Sequence, residues 1–137
     1  MKRTAKASWQ GGLKDGKGTF GVGSGAFATQ KYGFRMRFED EPGTNPEELI
    51  AAAHASCFSM ALSAQLVERG ITPEAIETDC TITFEALTLK KSELRTTVRA
   101  RGADRAKVDE AGAAAKAGCP VSKVLNLEIT LDLTLAE

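Results

Sequence analysis

Cysteine, histidine, tryptophan and tyrosine are scarce in this chain, at three, one, one and one in 137 residues. Three cysteines is an odd number, and no Cys-x-x-Cys pair occurs among them. A secreted disulfide framework is therefore not expected, and the short paired spacing of a structural zinc site is missing. A surplus of either charge is also missing. Lys plus Arg and Asp plus Glu each number 18, for a net charge of zero. Such a balance gives no reason to expect nucleic acid or an anionic membrane as a partner. The opening Met1-Lys2-Arg3-Thr4-Ala5-Lys6 is basic, but no apolar run follows it. A secretory leader is not expected, and a cytoplasmic location is. The one long apolar stretch, Leu49 to Val67, carries His54, Ser56, Ser59, Ser63 and Gln65. That is too polar for a lipid-facing span, and a buried helix is the better reading.

What is present reads as one α+β domain over residues 1–137: 42% of residues are hydrophobic and 26% charged, an ordinary globular balance. The first forty residues read as strands punctuated by Gly11-Gly12, Gly16, Gly18, Gly21, Gly23 and Gly25. Within them Gly33 to Glu39 alternates Phe34, Met36 and Phe38 with Arg35, Arg37 and Glu39, the period of a strand with one basic face. Asn45-Pro46-Glu47-Glu48 is a helix start: Asn45 caps, Pro46 takes the first helical position, and Glu48 completes a capping box. That helix should run to about Arg69, with Gly70 as a left-handed stop. It is apolar nearly all round and should be the central buried helix. Two strands, Cys80 to Leu87 and Glu93 to Arg101, should turn near Lys90-Lys91-Ser92. A helix capped by Asp104 should end at Gly118, a short one should start at Cys119-Pro120, and Leu127 to Leu135 should be a closing strand.

Several residues are candidates for chemistry. Gly16-Lys17-Gly18-Thr19-Phe20-Gly21 spells a dinucleotide fingerprint but lacks the strand–turn–helix setting that gives it meaning, so these are read as turn glycines. Cys57 lies deep in the long helix, where the helix dipole helps little, and a thiolate there needs a nearby cation. The residues alone do not choose between Arg35 and Arg37 for that cation. Cys119, at the cap of a short helix, faces free amides that favour its thiolate, as nucleophile or as leaving group. Cys80 shares the apolar face of a strand with Ile82 and Phe84 and reads as structural. His54 is on the face of Cys57, as a base, a metal ligand with Cys57, Cys119 and Glu47, or a satisfied helix histidine, the last being favoured. Glu47 and Cys57 are ten residues apart, about 15 Å along a straight helix. If both serve one substrate, the helix bends sharply or Glu47 comes from a second subunit.

Taken together these segments resemble the OsmC/Ohr family, the osmotically inducible protein C and organic hydroperoxide resistance group, over nearly the whole chain. The resemblance rests on Ser8-Trp9-Gln10-Gly11, Tyr32-Gly33-Phe34, Gly43-Thr44-Asn45-Pro46-Glu47-Glu48-Leu49, Ala52 to Leu62 around Cys57, and Ala117-Gly118-Cys119-Pro120-Val121-Ser122. The His-Ala-x-Cys and Gly-Cys-Pro-Val-Ser forms are similar to the OsmC branch. The resemblance implies antiparallel sheets around a long central helix, in an intertwined homodimer. It also implies thiol-dependent reduction of organic hydroperoxides, and more weakly hydrogen peroxide, as stress defence. In that scheme Cys57 attacks, Cys119 closes a Cys57–Cys119 disulfide, and Arg37 and Glu47 support them. No cofactor or metal is implied; a lipoylated protein or similar dithiol is the implied reductant. Phe38, Phe58 and Met60 are candidates to line an apolar entrance. The rival reading is a metal-binding or redox-sensing protein that uses Cys57, Cys119 and His54.

Overall fold

Short alternations separated by glycine turns fold, as the sequence predicts, into strands near the start of the chain. The computed structural model describes residues Met1–Glu137, in two units, Met1–Leu49 and Ile50–Glu137. In the first unit β1 (Ala5–Gln10), β2 (Lys17–Val22) and β3 (Gln30–Tyr32) form an antiparallel sheet in that order. Two glycines of the fingerprint-like run, Gly18 and Gly21, lie inside β2 and not in a turn. Gly18 pairs with both Trp9 and Tyr32, whose rings sit 5.5 Å apart. A Cβ at Gly18 would come within 2.5 Å of the Tyr32 ring, so glycine is needed to let the two aromatics close over the strand. β3 and not a helix follows β2, which removes the dinucleotide setting.

The segment expected as a basic-faced strand is instead α1 (Phe34–Phe38). Its residues satisfy a helical spacing as well as an alternating one. Phe34 and Phe38 stack at 4.9 Å between centroids, and Arg35 pairs with Glu39 at 3.1 Å, both at i,i+4. Asn45 donates to the Met36 carbonyl at 3.1 Å and secures the turn. α2 (Pro46–Glu68) then begins as predicted, with the Glu48 amide donating to Asn45 Oδ1 at 2.8 Å. The capping box is only half made, because Glu48 instead accepts from the Thr44 hydroxyl at 3.0 Å.

In the second unit β4 (Ala75–Glu85) and β5 (Thr88–Arg99) are antiparallel, and β6 (Glu128–Ala136) adds to β5 in parallel. The expectation of antiparallel sheets is therefore corrected for β5–β6. The cause is the crossover between them: α3 (Arg105–Gly118) and α4 (Pro120–Val124) carry the chain back to the start of the sheet. α3 is capped by Asp104 as predicted, its side chain accepting from the Ala106 amide at 2.9 Å. It buries Val108, Ala111, Gly112 and Ala115, and Gly112 lets it approach Leu131 and Leu133 of β6.

His54, Phe58, Leu62 and Leu66 form the buried stripe of α2, at the i,i+4 spacing that keeps one helix face together. The three apolar ones join Leu94 and Val98 of β5 and the α3 residues in one core. The expectation of a central buried helix holds on that stripe but not round the whole helix: within one chain Met60 is 77% exposed and Val67 55%. By length and composition α2 is apolar enough to cross a bilayer. Its polar side chains are instead bonded inside the unit, Ser59 to Thr78 of β4 at 2.8 Å and His54 to Ser92 of β5 at 2.6 Å.

The hairpin turn falls at Ala86-Leu87 and not at Lys90-Lys91-Ser92. Both residues are left-handed, with φ of 50° and 59°, the conformation of a tight two-residue hairpin that glycine or asparagine ordinarily supplies. Neither residue announces such a turn, and the glycine-free Lys90-Lys91-Ser92 is absorbed into β5, with a register shift between Thr83 and Phe84. Two side chains held at positive φ are unfavourable. Replacing them together, Ala86→Asn with Leu87→Gly, should therefore stabilise the chain by about 1–2 kcal/mol, read as a higher denaturant midpoint. An unchanged or lower midpoint would show that the turn carries no such strain.

Candidate active site

Two thiols that are 62 residues apart in sequence come into contact: Cys57 Sγ and Cys119 Sγ are 3.0 Å apart. α2 supplies Cys57, one residue before the buried Phe58, so its side chain sits at the edge of the core stripe and is partly exposed. Cys119 joins α3 to α4, closing the first as C-cap and opening the second as N-cap ahead of Pro120. It is fully buried, at 0% exposure. The separation is about 1 Å longer than a disulfide bond.

The two thiols are electrostatically unequal. Burial pushes Cys57 up from the ordinary thiol range, and its contact with Cys119 pushes it further, against a favourable Val121 amide. Burial also acts to raise Cys119, but the Cys57 thiol, the Ser122 amide and hydroxyl and the Val121 amide outweigh it and bring Cys119 below the ordinary value. Cys119 makes no full capping hydrogen bond to α4 in the thiol form; the oriented amides reward the thiolate. In the thiol form Cys119 donates to Cys57 Sγ, and of the two it is Cys119 whose surroundings favour the thiolate.

Arg37 and Glu47 are also brought together, inside the first unit. Arg37 Nη2 donates to Glu47 Oε1 at 2.7 Å, and Nε donates to Oε1 at 3.0 Å and Oε2 at 3.2 Å, a fork-like pairing around a nearly buried carboxylate. The guanidinium also lies 5.2 Å from the centre of the Phe38 ring. Arg35 turns to Glu39 in an exposed pair, so of the two candidate arginines Arg37 is the one held by Glu47.

His54 is fully buried and does not join the two thiols directly. Its Nδ1 meets Ser92 Oγ at 2.6 Å and its Nε2 meets Ser122 Oγ at 2.8 Å, so both ring nitrogens are occupied by hydroxyls. This is the satisfied helix histidine of the sequence reading, and its neutral ring leaves neither nitrogen for a metal. Cys80 lies on the inner face of the sheet, 3.2 Å from Ser92 Oγ, with its thiol pushed up by burial despite that contact. Phe58 is core and not an entrance residue, whereas Met60 is exposed and Phe38 borders Arg37. The sequence reading missed Ser92 and Ser122 as partners of His54. The sequence predicts a turn at Ser92, and Ser122 is legible only as the third residue after the Cys119 cap.

A family model described as OsmC-like protein matches residues 38–134. The chain is 48% identical over 139 residues to Peroxiredoxin OsmC of Escherichia coli (strain K12), covering 98% of this chain and 97% of that protein. It is 34% identical over 104 residues to Organic hydroperoxide resistance protein OhrB of Bacillus subtilis (strain 168), covering 69% and 73%. The crystal structure of an OsmC-like protein from Mycoplasma pneumoniae superposes with a TM-score of 0.76 at 15% identity, covering 100% of this chain and 99% of that one. That last likeness speaks to the fold alone.

Burial lowers the His54 pKa below its ordinary 6.5, so the folded chain resists a proton that the unfolded chain accepts. Its contribution to stability is present above pH 6.5 and is lost as pH falls through 6.5 towards the lower folded value. The loss should be no steeper than about 1.4 kcal/mol per pH unit. Denaturation midpoints compared between wild type and His54→Gln across that window should show the steeper fall in wild type; parallel profiles would contradict the assignment.

Proposed function

This chain belongs to the OsmC-like protein family, and on that premise we propose that it is a cysteine-based peroxidase that reduces organic hydroperoxides, and more weakly hydrogen peroxide, in stress defence. The observation that carries the reading is the 3.0 Å contact between a partly exposed Cys57 and a buried Cys119. A peroxide reaches the first sulfur, and the second waits behind it. The chain acts in the cytoplasm, with residues 1–137 as one functional domain.

Cys57, as thiolate, attacks the distal oxygen of the hydroperoxide. The O–O bond breaks, the alkoxide leaves and takes a proton to become the alcohol, and Cys57 becomes a sulfenic acid. The Cys119 thiolate then attacks the Cys57 sulfur. An S–S bond forms, the S–O bond breaks, and the departing hydroxide takes a proton to become water. An external dithiol, such as a lipoyl group on a protein, returns two electrons. Because Cys119 is the more stable thiolate, it is the better leaving group, and the reductant attacks at the more exposed Cys57.

Within its own unit Cys57 is the harder of the two thiols to ionise, so the first step needs a cation. Arg37, oriented by Glu47, is the group assigned to it. Ten residues of one helix separate Glu47 from Cys57, about 15 Å of rise. That span, with the exposed Met60 and Val67, supports a homodimer in which one subunit's Arg37 and Glu47 serve the other's Cys57. The metal-binding alternative is weaker because both nitrogens of His54 are already engaged.

Cys57→Ser should lose turnover of cumene hydroperoxide with a dithiol by about 10³-fold or more, and Cys119→Ser should form the sulfenic acid without cycling. Equal turnover in wild type and both variants would end the peroxidase reading. Mixing inactive Arg37→Ala with inactive Cys57→Ser should restore about a quarter of wild-type activity, since half the dimers are mixed and each has one intact site. No recovery on mixing would place Arg37 and Cys57 of one subunit in the same site.

A further inference from the structure

The Cys57–Cys119 pair is one end of a longer line of contacts. Cys80 Sγ lies 3.2 Å from Ser92 Oγ, Ser92 Oγ 2.6 Å from His54 Nδ1, and His54 Nε2 2.8 Å from Ser122 Oγ. Ser122 is the third residue of α4, whose N-cap is Cys119, and its hydroxyl favours the Cys119 thiolate. These groups come from β4, β5, α2 and α4, and Ser92 and His54 are fully buried. No buried side-chain polar atom of the chain lacks a partner.

The hydrogens along this line can be counted. The Cys119 thiol gives its hydrogen to Cys57, and a thiolate there would have none, so in either form Ser122 must donate to it. Ser122 Oγ then accepts from His54 Nε2–H, which leaves Nδ1 of a neutral ring as acceptor for Ser92 O–H. Ser92 Oγ finally accepts from Cys80 S–H. Four contacts receive four hydrogens, one each, all pointing the same way. Such a series strengthens its members, and the thiolate at its end gains from every donor behind it.

We propose that His54 and Ser122 are positioning residues for the resolving step: the Nε2–H imidazole donates to Ser122, and Ser122 donates to Cys119, fixing that sulfur as the nucleophile that closes on oxidised Cys57. The other ionisable groups facing this line are Cys57 on α2 and Cys80 on β4. His54 holds its proton throughout and is not the base. A solitary buried histidine would otherwise be a poor choice for tying α2 to the sheet, since burial disfavours its charged form. The part it plays in turnover rests on the peroxidase reading; the hydrogen-bond direction does not.

Because the chain has one histidine, nitrogen NMR of the reduced wild-type protein reads its tautomer without any substitution. Protonated Nε2 with bare Nδ1 near neutral pH is expected, and the opposite tautomer or an imidazolium would overturn the proposal. In a Cys57→Ser chain the thiolate absorbance should titrate at Cys119 first, with Cys80 above it. Adding Ser122→Ala should raise the Cys119 midpoint by about one pH unit, and Ser122→Thr should restore it. A lower melting temperature with an unmoved midpoint would mean that Ser122 only packs, and the proposal would fail. Wild-type protein that shows the tautomer and the shift, yet consumes no cumene hydroperoxide, would support the hydrogen-bond series and remove the peroxidase reading alone.

Discussion

A buried imidazole must satisfy two nitrogens, and much of the second unit is arranged around that requirement. His54 is carried into the core by the same α2 stripe that buries Phe58, Leu62 and Leu66. Leaving either nitrogen without a partner there would cost about 1–3 kcal/mol. Ser92 answers one from the sheet and Ser122 answers the other from α4. The second of these bonds fixes the start of α4, and with it Cys119, against α2. The contact between the two thiols thus depends on polar bonds made behind them as much as on the packing of either helix.

That arrangement makes two chemically identical side chains different. Cys119 is wholly buried yet surrounded by groups that reward its negative charge; Cys57 is more accessible yet gains only one amide. Accessibility and acidity are usually coupled in reactive thiols, and here they are divided between two residues. The division suits a sequence of steps in which one sulfur meets the substrate and the other attacks it afterwards and later departs.

The sequence displayed the elements whose signals are local. The Asn45-Pro46 start, the Gly70 stop at φ +76°, the Asp104 cap and the alternation of β6 all appear in the structure. It misled where two periods fit the same residues: Phe34 to Phe38 alternates like a strand but also stacks Phe34 on Phe38 at one helical turn. It was silent at Ala86-Leu87, because a turn that requires positive φ was built from residues that rarely adopt it. The site divided in the same way. Cys57, Cys119, Arg37 and Glu47 carry motifs, whereas Ser92 and Ser122 acquire meaning only when the fold brings them to one imidazole of α2, 38 and 68 residues before them in sequence.

The asymmetry of the thiols also explains why a cation is needed in the proposed cycle. Left to their own unit, the surroundings favour charge on Cys119 and disfavour it on Cys57. A guanidinium brought to Cys57 would reverse that preference by stabilising the charge on the accessible sulfur. After oxidation Cys57 no longer competes for charge, and the amides and hydroxyl around Cys119 act unopposed. In the proposed cycle the order of the two attacks follows from which sulfur can hold a negative charge at each stage, with Arg37 assigned to the first and Ser122 to the second.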